Sequence, residues 1–366
     1  MARMLKYGLV LLVILSVFCG STRCSGEESD SHWLVSPKLL SAGKLEMVWQ
    51  SKLLMRENES LERLFILGDS ICGLSDHNYI ASLNRENGNL AFSRSFTPAG
   101  LAVLGLELYD DELVSVIGSR LVEIDAKLGT QRSVERLQFG VTCPASRNSS
   151  YFYIAGTDGR LHTLRAEDKV QIFEVAAESD SVITSIIADE RFVVFSTEAG
   201  EVICITANKP RRLWQFDDAA DGIVWPMVRD GDSLFFASED TNVYRLNIAG
   251  KLVWKYQTDA VLERVPVVTE EVVYQYVHGK GLAAIDKRSG KELWQLAKGA
   301  DLLAEADGKA YVITNVGTLV VMDNHELKRL YSINFAGVSR YVANVTDSKI
   351  YIAGKDGRIA CLKPVE

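Results

Sequence analysis

Short runs of β-branched, aliphatic and aromatic residues recur along this chain at a nearly constant spacing. Eight positions mark the repeat at intervals of 43, 41, 40, 41, 40, 40 and 37 residues: Trp49, Phe92, Ser133, Phe173, Trp214, Trp254, Trp294 and Tyr331. All of them except Ser133 are aromatic. A repeat of about 40 residues built from such runs has the length of one four-stranded blade, and several blades close into a propeller. The pattern therefore predicts an all-β chain.

The clearest copy of the repeat can be divided into strands by its turn residues. Two β-rich runs, residues 272–276 and 282–285, are separated by glycines, and a tight turn at Gly290 leads into the strand that carries Trp294. We expect Gly290 to adopt a positive φ. We expect Trp294 to pack between neighbouring blades, with its indole N–H donating to a backbone acceptor.

The segment from Ala284 to Trp294 resembles the tryptophan-docking repeat, A-x-D-x-x-T-G-x-x-x-W, of the pyrroloquinoline-quinone (PQQ)-type propellers. Asp286 and Gly290 occupy their motif positions, and Ser289 replaces the usual threonine. Other copies depart further, and those ending at Phe173 and Tyr331 replace the motif glycine by Lys169 and Leu327. The resemblance extends from about Trp33 to Glu366 and implies a single PQQ-like propeller domain over residues 33–366.

The two ends of the chain predict how the ring closes. After Tyr331 only three β-like runs remain, residues 341–345, 349–353 and 358–362, so the last blade lacks its outer strand. Residues 45–50, which contain Trp49, have the character of such a strand and have no partners before them. We therefore predict an eight-bladed, monomeric propeller in which this N-terminal strand completes the last blade.

The N-terminus has the layout of an export signal. Arg3 and Lys6 precede an apolar run that ends at Phe18 and is short for a membrane span. We interpret residues 1–26 as a signal peptide or a signal anchor and residues 27–32 as a polar tether, which implies a periplasmic or other extracytoplasmic location. Lipid attachment at Cys19 is the competing interpretation, and the bulky Phe18 before it fits a lipoprotein signal poorly.

Charge and reactive residues give little sign of chemistry. The net charge of −8 and the pI near 5.4 argue against binding to nucleic acid. No histidine belongs to a metal-binding motif, and the cysteine spacings fit neither a metal knuckle nor a tight disulfide framework. Cys204 and Cys361 occupy the alanine position of the repeat and are expected to be small buried hydrophobes. We predict no catalytic, cofactor-binding or metal-binding residue.

One acidic segment is the candidate for a partner-binding rim, and it consists of Asp217, Asp218, Asp221 and Trp225. In the propeller register it lies in the loop between the outer strand of one blade and the inner strand of the next. Trp225 falls outside the repeat and is the preferred binding residue. The alternative is a solvated turn whose charges pair with Arg211 and Arg212.

Two kinds of function remain open. The resemblance to the BamB family of outer-membrane protein assembly factors implies an exported, non-catalytic scaffold without a cofactor that binds proteins of the cell envelope. The enzymatic alternative is a dehydrogenase that uses PQQ and calcium, although the short spacing between repeats leaves little room for the insertions that hold a quinone. A propeller that binds a small ligand in its central channel lies between these two.

Overall fold

The computed structural model describes residues 32–96 and 100–365. The predicted signal segment at 1–26, Cys19 and residues 27–31 of the predicted tether lie outside this part of the chain. A compact unit begins at Leu34. No helix in the described residues is long and apolar enough to cross a membrane.

Eight four-stranded antiparallel sheets, the blades, follow one another along the chain. They are preceded by helix α1 (Pro37–Ala42) and strand β1 (Leu45–Lys52). Blade 1 contains β2 (Leu61–Leu67), β3 (Ser70–Ser75), β4 (Tyr79–Asn84) and β5 (Leu90–Ser95). Blade 2 contains β6 (Glu107–Tyr109), β7 (Glu112–Ile117), β8 (Arg120–Asp125) and β9 (Gln131–Arg136). Blade 3 contains β10 (Ser146–Arg147), β11 (Tyr151–Ala155), β12 (Arg160–Arg165) and β13 (Gln171–Ala176).

The next three blades repeat this arrangement. Blade 4 contains β14 (Ile183–Ala188), β15 (Phe192–Thr197), β16 (Val202–Thr206) and β17 (Arg212–Phe216). Blade 5 contains β18 (Val228–Asp230), β19 (Ser233–Ala237), β20 (Asn242–Asn247) and β21 (Leu252–Gln257). Blade 6 contains β22 (Val267–Val268), β23 (Val272–Val277), β24 (Gly281–Asp286) and β25 (Glu292–Leu296).

The last two blades finish the ring. Blade 7 contains β26 (Gly299–Ala306), β27 (Lys309–Thr314), β28 (Thr318–Asp323) and β29 (Lys328–Asn334). Blade 8 contains β30 (Arg340–Val342), β31 (Ile350–Ala353), β32 (Arg358–Pro364) and the N-terminal strand β1. The first strands of several neighbouring blades contact one another, as β2 does β30, so these strands form the inner ring. The predicted eight-bladed, all-β fold is confirmed.

Closure of the ring by the N-terminal strand is also confirmed. β1 pairs antiparallel with β32, with Leu45 opposite Pro364 and Lys52 opposite Arg358. The short helix α1 contacts β1 and β29. The Tyr331 hydroxyl on β29 donates to the Gly43 carbonyl oxygen at 3.1 Å, so blade 7 is tied to the segment that leads into β1.

In several blades the repeat aromatic lies opposite a small side chain on the third strand. Trp294 pairs with Ala284, Trp214 with Cys204 and Trp49 with Cys361. Cys204 and Cys361 are buried free thiols. The expectation that they are small buried hydrophobes is therefore confirmed, and burial raises the pKa of Cys361 to about 11.

The same aromatics dock onto the following blade. Three indole N–H groups donate to backbone carbonyls there, Trp49 to Arg85 at 3.1 Å, Trp214 to Ile248 at 3.0 Å and Trp254 to Lys287 at 2.9 Å. Trp294 differs from the expectation, because it donates at 2.8 Å to the side-chain oxygen of Asn324. Four of the eight repeat positions are buried, Trp49, Phe92, Trp254 and Trp294, and four are half-buried, Ser133, Phe173, Trp214 and Tyr331.

The motif glycine has a second role beyond its positive φ. Gly290 has a φ of 72°, as the sequence predicts, but Lys169 and Leu327 hold the same position in their blades at φ values of 60° and 55°. A Cβ on Gly290 would lie only 2.7 Å from the ring of Trp254 in the preceding blade. A side chain at residue 290 would therefore collide with the ring that packs on the turn, so glycine is required at this position.

The interface between blades 2 and 3 uses charge in place of the aromatic. Ser133 leaves room opposite it for Glu123, whose carboxylate accepts from the Ser133 hydroxyl at 2.5 Å. The Lys169 ammonium lies 3.0 Å from Glu123, and the side chains of both residues are largely buried. Lys169 also donates to the Ala166 carbonyl oxygen and lies over the ring of Phe152. The cation at the glycine position therefore neutralises a buried carboxylate of the preceding blade.

Restoring the family glycine here is expected to destabilise the protein. Lys169→Gly relieves the strain of a positive φ, which stabilises the fold by about 1 kcal/mol. It also leaves Glu123 buried without its main cation, which destabilises the fold by about 3–5 kcal/mol. We expect a net loss of about 2–4 kcal/mol in the free energy of unfolding by chemical denaturation. An unchanged or increased stability would show that the ion pair contributes nothing beyond the turn geometry.

Candidate functional site

The predicted rim segment is the loop of residues 217–227, which joins β17 to β18. Its apolar residues, Ala219, Ile223 and Met227, are buried against Phe216 in the core between blades 4 and 5. The Ile223 N–H donates to the Thr197 carbonyl oxygen at 3.1 Å, and the Met227 N–H donates to the Ser185 hydroxyl at 2.9 Å. The loop is therefore fixed at both ends by the preceding blade.

A polar pair under the loop adds to this anchoring. The Tyr244 hydroxyl donates to Asp240 at 2.5 Å, and the Ala220 N–H of the loop donates to the same carboxylate oxygen at 3.0 Å. Burial acts to raise the pKa of Asp240, but these hydrogen bonds and one from the Asn242 N–H outweigh it and hold that pKa below its usual range. Asp240 therefore stays ionised and holds the loop at neutral pH.

The three aspartates of the segment are exposed to solvent. Asp217 accepts from the Gln215 amide at 2.9 Å, and Asp221 accepts from the Gly222 N–H at 2.9 Å. Within the described residues, none of the three forms an ion pair. The alternative in which Arg212 neutralises them is wrong, because Arg212 pairs with Glu178 instead. Three carboxylates of one loop therefore present their charge to solvent.

Trp225 lies beside the next loop of the same face. Its side chain is 37% exposed, and its indole N–H donates to the Leu262 carbonyl oxygen at 3.2 Å. Val261, which precedes that acceptor, is 50% exposed. We call these two residues, with Asp217, Asp218 and Asp221, the rim patch. The sequence did not point to Val261, because it becomes a neighbour of Trp225 only when two successive loops meet.

Across residues 32–96 and 100–365, no three or more histidine, cysteine or carboxylate side chains are arranged to hold a metal ion. His162 illustrates the pattern, since its ring stacks on Phe139 at 3.8 Å between centroids and its Nε2 lies 3.1 Å from Asp158. The imidazole therefore takes part in local packing in blade 3.

These features define the class of protein, a closed eight-bladed propeller whose blades are joined by docked aromatics and in which one loop between blades carries an exposed tryptophan and three exposed aspartates. Residues 118–224 and 198–340 match the family described as outer membrane protein assembly factor BamB. The two ranges together span more than half of the chain, and the chain belongs to this family.

Solved structures share the fold at low sequence identity. The crystal structure of BamB from Moraxella catarrhalis has a TM-score of 0.65 and 15% identity, over 87% of this chain and 99% of that one. The computationally designed Ika8 protein has a TM-score of 0.67 and 14% identity, over 85% of this chain and 98% of that one. Comparison with curated proteins finds no match. Likeness at this level of identity shows the fold alone.

Proposed function

We propose that this protein is an exported, non-catalytic scaffold that uses the rim patch to bind a basic, partly apolar segment of a partner protein during assembly of envelope or outer-membrane proteins. The observation that carries the proposal is the exposed Trp225, held by a hydrogen bond to the residue after Val261, in the same loop as three exposed aspartates that have no cationic partner among the described residues. Membership of the BamB family supports the proposed role in the assembly of envelope or outer-membrane proteins.

The composition of the patch suits protein recognition. Tryptophan is enriched among the residues that dominate binding energy, because it buries a large area and loses little conformational freedom. The hydrogen bond to Leu262 and the buried anchors of the 217–227 loop order the patch before a partner arrives, which lowers the entropic cost of binding. The surrounding aspartates attract basic residues and disfavour acidic ones.

Crosslinking in the native host, with the full-length tagged protein followed by affinity capture and mass spectrometry, tests the proposal. We expect Trp225→Ser to lower recovery of the captured partner about tenfold, which corresponds to the loss of one strong contact. Replacing Asp217, Asp218 and Asp221 by asparagine is expected to weaken capture most at low salt.

Leu54→Ser is the matched control. Leu54 is 88% exposed and lies in the loop between β1 and β2, on the opposite side of the ring from the rim patch. Recovery that is lost equally in Leu54→Ser, or retained in Trp225→Ser, would place the binding surface elsewhere.

A further inference from the structure

The inner ring of blades 6 to 8 carries polar side chains that the rim patch does not use. Arg264 precedes β22, Asp301 lies on β26 and Tyr341 lies on β30. We call these three residues, which come from successive blades, the inner-ring cluster. They meet because the first strands of neighbouring blades lie side by side around the axis of the propeller.

Arg264 is held firmly and is still open to solvent. Its Nη1 donates to the Ala300 carbonyl oxygen at 2.9 Å and to the Tyr341 hydroxyl at 3.3 Å, and its guanidinium lies 4.6 Å from the ring centroid of Tyr276. Its side chain is nevertheless 39% exposed. Its Nε and Nη2 have no hydrogen-bond partner within the described residues. Two donors on one edge of a fixed, planar guanidinium therefore face solvent.

The positive charge of Arg264 is only weakly balanced. Among the described residues, the one carboxylate within ion-pair distance of Arg264 is Asp301, at 3.7 Å, which is longer than a hydrogen bond. The charged and titratable groups that face Asp301 are Arg264 and the Tyr341 hydroxyl. Burial raises the pKa of Asp301 to about 6, and the nearby guanidinium offsets this only in part. Below that pH Asp301 becomes neutral, and Arg264 is left without a counter-charge.

A second inner-ring arginine, on β30, lacks a counter-ion among the described residues. Arg340 directly precedes Tyr341, forms no ion pair with any described residue, and has a buried Nε without an acceptor. The adjacent Ser339 hydroxyl is likewise buried without a partner. In a chain with a net charge of −8, this part of the inner ring thus holds two arginines and one carboxyl group that becomes neutral below about pH 6.

We propose that the inner-ring cluster binds a small oxyanion, the carboxylate or the sulfate- or phosphate-type group of a ligand, with Arg264 as the main donor. The free edge of the guanidinium matches two oxygens of such a group. The Tyr341 hydroxyl accepts from Arg264, so its own hydrogen is available as a further donor. Asp301 competes for Arg264 when ionised and becomes a third donor when protonated.

Titration calorimetry of the full-length protein with sulfate and, separately, with formate tests this site at about pH 5 and about pH 8, on either side of the Asp301 transition. Both probes remain ionised over this range, so any pH dependence belongs to the protein. We expect saturable binding of at least one probe, and stronger binding at the lower pH. A preference for sulfate identifies a tetrahedral ligand group, and a preference for formate identifies a carboxylate.

Two variants and a control separate the cluster from general surface charge. Arg264→Gln is expected to weaken binding about tenfold or more at both pH values. Asp301→Asn keeps the shape of the side chain but removes its charge, so we expect tighter binding at about pH 8 and loss of most of the pH dependence. Arg191→Gln, which changes an arginine whose side chain is 86% exposed in blade 4, is expected to bind like wild type.

The absence of saturable binding at either pH would overturn the proposal. Equal affinity in wild type and Arg264→Gln would do the same. If Arg264→Gln fails to fold in a thermal melt, Asp301→Asn decides the question, because a purely structural carboxyl group would not tighten binding when neutralised. The oxyanion proposal does not rest on the scaffold proposal, so failure here leaves the scaffold proposal standing.

Discussion

Gly290→Ala is expected to lower the free energy of unfolding by about 3 kcal/mol, whereas Gly279→Ala is expected to cost only about 1 kcal/mol. Both glycines have a φ of 72°, so the backbone strain of adding a side chain is the same. A Cβ on Gly290 would lie 2.7 Å from the ring of Trp254, while a Cβ on Gly279 would meet nothing within 4 Å. The difference between these two losses of stability therefore measures how tightly the ring of one blade packs on the turn of the next.

Chemical denaturation of the two single variants provides the comparison, and a double variant gives its cause. In a Trp254→Ser background the ring is gone, so Gly290→Ala is expected to cost about 1 kcal/mol, like Gly279→Ala. The chain already contains a natural version of this pairing, with Ser133 in one blade and Lys169 in the next. If Gly290→Ala and Gly279→Ala cost the same, the positive φ alone explains the glycine.

Trp294→Ala is expected to destabilise the fold by about 3–5 kcal/mol, the usual range for truncating a buried large aromatic. Trp294 is 6% exposed and packs on Tyr274 with 5.8 Å between ring centroids. Its indole N–H donates to Asn324, whose amide in turn donates to the Tyr274 hydroxyl at 2.7 Å and to Glu305 at 2.8 Å. Truncation therefore leaves a cavity and an unsatisfied side-chain oxygen.

Trp294→Phe separates these two effects in the same thermal or chemical unfolding experiment. It keeps most of the packing but removes the N–H, so we expect a cost of about 1–3 kcal/mol for the Asn324 oxygen that loses its donor. Trp225→Ala is the control, because that tryptophan is partly exposed and should cost about 1 kcal/mol or less. A melt of Trp294→Ala that matches wild type would contradict its buried position.

The spacing of the repeat predicted the architecture well because the repeat aromatics make one kind of contact, packing on the following blade, that recurs around the ring. Residues 45–50 were predicted as the closing strand, and β1 spans Leu45–Lys52. The run at 272–276 corresponds to β23, Val272–Val277. β23 is paired on both sides and mostly buried, and β1 carries the buried repeat residue Trp49, so both strands have a recognisable pattern.

Other features depend on contacts that no local pattern contains. The inner strands β10 and β22 have only two residues each, too few for a periodic signal. Lys169 looked like a departure from the motif, because its partner Glu123 lies in a different blade. The compensation between them becomes visible only when the blades are placed side by side.

The candidate sites were predictable in part. Trp225 stood out because it lies outside the repeat, and the structure leaves it partly exposed. The inner-ring cluster was missed, although its members are 37 and 40 residues apart and so share one phase of the repeat. Polar residues that recur at the repeat interval near the start of successive blades are the signal that points to such a cluster.

Because β1 pairs with β32, the ring can close only after the C-terminal strand has been synthesised. Blades 1 to 7 pair strands that are close in sequence, whereas blade 8 joins strands separated by roughly 300 residues, which is a slow step in folding. Until β32 arrives, β1 has no partner and exposes an edge that invites aggregation or proteolysis. A chain that stops before β32 cannot close, so the ring itself distinguishes finished molecules from truncated ones.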